Sequence, residues 1–119
     1  MKPYGTTDKG LDMFYYNEYA DSNYKNPKYL VNADFRGFVI DGSDANCITY
    51  TTAGKGFMIN LYRDCDWQDV TVKYTDGTGF GMDCPINSTI VNCVAIGCGK
   101  AASTTQNGAS GFGIGMGYS

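Results

Sequence analysis

Three stretches of the chain open on Gly-Phe and then place apolar residues at every second position: Gly56-Phe57-Met58-Ile59-Asn60-Leu61, Gly79-Phe80-Gly81-Met82-Asp83-Cys84 and Gly111-Phe112-Gly113-Ile114-Gly115-Met116. A period of two is the mark of a strand with one buried face. A second set, Phe35/Phe38/Ile40, Trp67/Val70/Val72 and Ile90/Cys93/Ala95, has apolar residues at i, i+3 and i+5, a spacing that bends the chain between two short strands. The two sets interleave. The step from Leu61 to Trp67 and from Cys84 to Ile90 is six residues both times, whereas the returns from Ile40 to Phe57, Val72 to Phe80 and Ala95 to Phe112 take 17, 8 and 17.

One turn is therefore constant and the other variable. The shortest period, 23 residues from Phe57 to Phe80, suits one coil of three short strands, and repeats of this length mark solenoids. Helical repeats are disfavoured, because the period is not 3.6 and Gly, Thr, Asn and Asp fill the gaps. The pattern predicts an all-β parallel β-helix of about three coils over 33–119, with residues 1–32 as an N-terminal cap or partial preceding coil. Within 1–32, Gly10-Leu11-Asp12-Met13-Phe14-Tyr15 is the segment that could form a preceding Gly-plus-alternation strand.

Coils stacked about 4.8 Å apart put Phe57 on Phe80 on Phe112, Ile59 on Met82 on Ile114, and Leu61 on Cys84 on Met116. Phe38, Val70 and Cys93 line the bend, so Cys84 and Cys93 are expected as buried thiols acting as small hydrophobes. The outward column of the Gly-Phe sheet is then Asn60, Asp83 and Gly115. The returns Asp41 to Lys55 and Gly97 to Ser110 read as projecting loops, with the short return Lys73 to Thr78 recessed between them. Ser119 follows directly on a strand, so the expected cover is the remainder of a longer chain or an oligomer, a homotrimer among them.

Composition narrows the chemistry. The formal charge of −3 comes with no cluster of Lys or Arg, which removes the footprint of nucleic-acid or anionic-membrane binding. The first residues, Met1-Lys2-Pro3-Tyr4-Gly5, lack the apolar run of a secretory signal, and no apolar run of membrane-spanning length occurs in the sequence. Histidine is absent, which excludes Ser-His-Asp and Cys-His nucleophiles and His-ligated metals. Five cysteines at irregular spacings fit neither a complete disulfide framework nor a paired zinc motif. No cofactor is implied.

At Asn92-Cys93-Val94-Ala95-Ile96-Gly97-Cys98-Gly99 and Gly111-Phe112-Gly113-Ile114-Gly115 the chain resembles right-handed parallel β-helix proteins of the pectate-lyase-like superfamily. It is particularly similar to repeat proteins of bacterial and phage surfaces and tail spikes, and the resemblance covers about residues 29–119. It implies a polysaccharide-binding or structural segment of a bacterial or phage surface protein, found extracellularly, on the cell surface or on a virion. The alternative it implies is part of a polysaccharide lyase, glycoside hydrolase or uronan epimerase. The polygalacturonase Asn-Thr-Asp, Asp-Asp, Gly-His-Gly and Arg-Ile-Lys motifs are absent, as is the Asp-Pro-His-Glu of alginate epimerases.

Candidate site residues follow from the outward positions. Asp83 is the carboxylate on the Gly-Phe face, with Asp64 as the nearby second carboxyl that glycosidase chemistry requires at about 5–9.5 Å, and with Arg63 beside them. Asn60, Asp83 and Lys73 are the candidate ligand-binding residues. Asp64-Cys65-Asp66-Trp67-Gln68-Asp69 carries three carboxylates, but Trp67 is placed inward and the glycine and terminal Glu of an EF-hand loop are missing, so a charged turn is expected and no metal site.

Overall fold

The computed structural model describes residues 13–17, 28–44, 54–100 and 110–115. Every regular element among them is a strand: β1 (Phe14–Asn17), β2 (Leu30–Val31), β3 (Asp34–Arg36), β4 (Val39–Asp41), β5 (Phe57–Arg63), β6 (Asp66–Gln68), β7 (Thr71–Lys73), β8 (Phe80–Ile86), β9 (Thr89–Val91), β10 (Val94–Ile96) and β11 (Phe112–Gly115). They form three parallel sheets. The first runs β1-β5-β8-β11, with β2 paired to the far end of β5; the second runs β3-β6-β9 and the third β4-β7-β10. Parallel strands stacked in this order are compatible with a parallel β-helix.

The register follows the hydrophobic arithmetic. Phe57 pairs with Phe80 and Ile59 with Met82, and Phe80 and Met82 pair in turn with Phe112 and Ile114. The bend ladders Phe35–Trp67–Ile90 and Ile40–Val72–Ala95 pair as the spacing requires. Phe57, Trp67, Val70, Val72 and Phe80 are fully buried. The phenyl rings stack like a column: centroids lie 5.3 Å apart between Phe57 and Phe80 and 4.5 Å apart between Phe80 and Phe112, with planes 12° and 2° from parallel. Burying one such ring contributes about 1.5–3 kcal/mol.

The column reaches further up the chain than the Gly-Phe motif indicates. Phe14 pairs with Phe57, stacking at 4.9 Å, so Phe14 takes the place that the motif alone would give to Leu11. Leu11 itself lies outside the described residues, as do Met116 and the central parts of both long returns, 45–53 and 101–109.

What lets the chain turn between such short strands is a set of left-handed residues five apart. Positive φ occurs at Asn32 and Gly37, at Asp64, Asp69 and Tyr74, and at Asn87, Asn92 and Gly97. Asn, Asp and Gly enter this region most readily, since a short polar side chain or none relieves the clash with the following carbonyl. The corners also stay bonded between tiers, for example Asp69 N to Val91 O at 3.1 Å and Tyr74 N to Ile96 O at 2.8 Å. This explains the i, i+3, i+5 spacing: between Phe35 and Phe38 stands Gly37, which reverses the alternation for one step.

Cys84 is buried, while Cys93 is partly buried and packs against the core. Cys65, which the ladders did not assign, is fully buried, and its thiol lies 3.3 Å from the Arg63 carbonyl. Cys65, Cys84, Cys93 and Cys98 are free thiols; Cys47 lies outside the described residues.

Candidate functional site

The β8 face brings two of the candidate residues together. Asn60 pairs in register with Asp83, and Asp83 with Gly115, which forms the expected column. Asp83 Oδ1 accepts a hydrogen bond from the Gly115 amide at 2.9 Å. Asn60, however, is 2% exposed. Its parity points it away from Phe57 and Ile59, yet it is covered, with Asn17 in register on its other side.

Arg63 and Asp64 meet at the following corner, with Arg63 Nε 3.4 Å from Asp64 Oδ2. Both are well exposed, and such pairs contribute little. Asp64 also accepts from Asn87 Nδ2 at 2.6 Å, one tier along the same left-handed column, and the Arg63 guanidinium lies 5.9 Å from the Tyr29 ring centroid. Cys84, itself left-handed, bends β8 between Asp83 and this corner. Asp83 and Asp64 are therefore tied into separate hydrogen-bonded ladders, Asp83 to Gly115 and Asp64 to Asn87.

The three carboxylates of 64–69 lie on one tier but at separate places, two at corners and one on β6. Cys65 and Trp67 point inward, Asp66 accepts from the Thr89 hydroxyl at 2.5 Å, and Asp69 occupies its own left-handed corner. Among the described residues no group of three or more His, Cys, Asp and Glu side chains could hold a metal ion.

Lys73 is placed on a different sheet. It ends β7, and its ammonium lies 2.9 Å from Asp41 Oδ2 on β4 and 5.8 Å from the Tyr74 ring centroid. The other oxygen of Asp41 accepts from both the backbone amide and the hydroxyl of Ser43. The Ser43 hydroxyl first, then Lys73, hold the Asp41 carboxyl well below the usual carboxylate range, and Asp41 in turn raises the Lys73 ammonium. Asp41, Ser43 and Tyr74 were not singled out by sequence reasoning. The register Asp41–Lys73–Ile96, readable from the Ile40–Val72–Ala95 ladder, was the signal that could have found the first of them.

Within the short return 73–78, Thr75, Asp76, Gly77 and Thr78 are buried, while Tyr74 stands exposed at its start. The return is also tied down on both sides. Gly77 N donates to Gly54 O at 2.9 Å, and Gly99 N and Lys100 N both donate to Thr75 O. Lys100 Nζ reaches Gly42 O at 2.8 Å, Ser43 O at 3.2 Å and the Asp76 carboxylate at 3.5 Å. The recess is thus a closed polar joint between tiers.

No family model matches the chain, and no curated protein and no solved structure matches it.

Proposed function

We propose that this chain is a right-handed parallel β-helix of about three coils, of the pectate-lyase-like kind, and that it acts as a polysaccharide-binding or structural segment of a bacterial or phage surface or tail-spike protein. The observation that carries this reading is the regular outer surface. Exposed polar groups meet from tier to tier, as in Asp41–Lys73 and Asp64–Asn87, on a scaffold whose interior is a continuous apolar ladder. A rigid face with groups at strand spacing suits a partner that is itself a linear repeat, and a glycan chain is such a partner.

The binding reading is favoured over catalysis by the partners of the candidate carboxylates. Asp83 is committed to the Gly115 amide and Asp64 to Asn87 and Arg63, whereas glycoside cleavage asks two carboxyl groups to flank one bond. An extracellular, cell-surface or virion location and assembly as a homotrimer belong to the same proposal.

The test is a glycan array followed by size analysis of the bound glycans after prolonged incubation. Retention of glycans at unchanged length is the expected result. Shortened chains would transfer the proposal to a lyase or hydrolase using Asp83, Asp64 and Arg63, and absence of binding to every glycan would overturn it.

A further inference from the structure

Tyr74 breaks the rule that governs the other exposed corners. Asn32, Gly37, Asp64, Asp69, Asn87, Asn92 and Gly97 carry positive φ with the residue types that tolerate it, and Leu61 and Cys84 carry it inside the core, but Tyr74 holds φ 55 with a bulky aromatic side chain at the surface. An L residue without a short polar side chain is strained there. Burial does not offset that strain, because Tyr74 is 44% exposed. Strained residues of this kind concentrate where the side chain has a task.

The surroundings show what the task could be. One side of the ring lies across Gly97 of the next tier, where an added Cβ would fall 2.9 Å from Tyr74 Cδ1 and 3.1 Å from Cε1. The ring is thereby laid along the surface instead of standing free of it. The Lys73 ammonium lies over the ring, 5.8 Å from its centroid, and is bonded to the Asp41 carboxylate braced by Ser43. Exposed Ile96 adjoins on the same sheet. A partly exposed amphipathic ring with an ordered donor–acceptor pair beside it is a surface on which an apolar face can stack while neighbouring hydroxyls are hydrogen-bonded.

We propose that Tyr74, Lys73 and Asp41 form a subsite for a neutral pyranose ring, the sugar's C–H face lying on Tyr74 and its hydroxyls accepting from Lys73 and donating to Asp41. This rests on the polysaccharide-binding reading above and locates it on the β4-β7-β10 sheet, away from Asp83. Neutral sugars are specified because the Lys73 charge is already matched by Asp41, leaving no net positive charge to favour a uronate.

The experiment measures binding of the full chain and its variants to immobilised neutral hexose oligosaccharides and to uronate oligosaccharides, with Tm recorded for each variant. Wild type should prefer the neutral set. Tyr74→Phe should bind within about twofold of wild type, because the stacking face is kept. Tyr74→Asn should lose at least about tenfold in affinity while its Tm holds or rises, because the left-handed strain is relieved. Lys73→Met should weaken binding several-fold. A Tyr74→Asn variant that binds neutral sugars like wild type, or whose Tm falls, would overturn this subsite while leaving the broader reading intact. Preference of wild type for uronates would also overturn it. Failure of wild type to bind any glycan would overturn both.

Discussion

The carboxylate of Asp83 occupies the space that a side chain at Gly115 would need. A Cβ on Gly115 would lie 2.2 Å from Asp83 Oδ1, and the Gly115 amide donates to that same oxygen at 2.9 Å. The glycine and the carboxylate are therefore one joint between β8 and β11. Gly115→Ala should lower stability by about 1–3 kcal/mol through overpacking, with amide exchange quickened along β11. Removing the carboxylate in Asp83→Ala should make the second change much less costly, so the double variant should show coupling of at least about 0.5 kcal/mol. Additive losses in a urea titration would dissociate the two residues.

Phe80 is sandwiched between Phe57 and Phe112 and is fully buried. Truncation to alanine removes the ring from the middle of the stack and should cost about 3–5 kcal/mol. Phe112→Ala, at a position 42% exposed, should cost less than half as much. Equal losses at the two positions would mean that the column does not carry the stability assigned to it.

Tyr62 is buried edge-on against Trp67, the chain's single tryptophan, with centroids 5.2 Å apart. Burial first, with the charge of Asp83 next, pushes its phenol up to about 12. The folded state thus resists ionisation that the unfolded chain undergoes near pH 10. Its contribution to stability is complete below pH 10 and is lost as the pH rises through about 12. Unfolding followed by Trp67 fluorescence should become easier between those values, and Tyr62→Phe should flatten the slope. A slope unchanged in Tyr62→Phe would assign it to other groups.

Lys100 holds a cluster that spans 58 residues of sequence, from Gly42 O to its own ammonium. The Asp76 side chain it faces is 4% exposed, so loss of the cation leaves a buried carboxylate with fewer partners. Lys100→Met should cost about 1–3 kcal/mol, and Asp76→Asn in the same chain should recover part of that. The amides of Gly77 and Gly99 should exchange faster in the single variant. Unaltered exchange at both would show that the joint is held by its backbone bonds.

Legibility in the sequence followed the range of each interaction. The Phe57–Phe80–Phe112 and Ile40–Val72–Ala95 ladders were readable because side chains alternate across a strand and one slip of register would expose the whole apolar set. The left-handed corners were half visible as Asn, Asp and Gly at five-residue intervals, though Tyr74 gives no such signal. At the candidate site, the pairing of Asn60 with Asp83 was legible as register, but the burial of Asn60 was not.

The chain by itself determined the parallel ladders, their register and the absence of imidazole chemistry, since these depend on residue order and type. Only the tertiary structure decided that Asp83 is bound to Gly115, that Lys100 closes the recess over Asp76, and that the Tyr74 ring lies exposed beside the Lys73–Asp41 pair. These contacts join residues 24 to 58 positions apart or fix a side chain's exposure. Local periodicity carries no information on which polar groups from separate tiers will share one space. That is decided when the corners stack and the carbonyls, carboxylates and ammonium groups between them must each find a partner away from water.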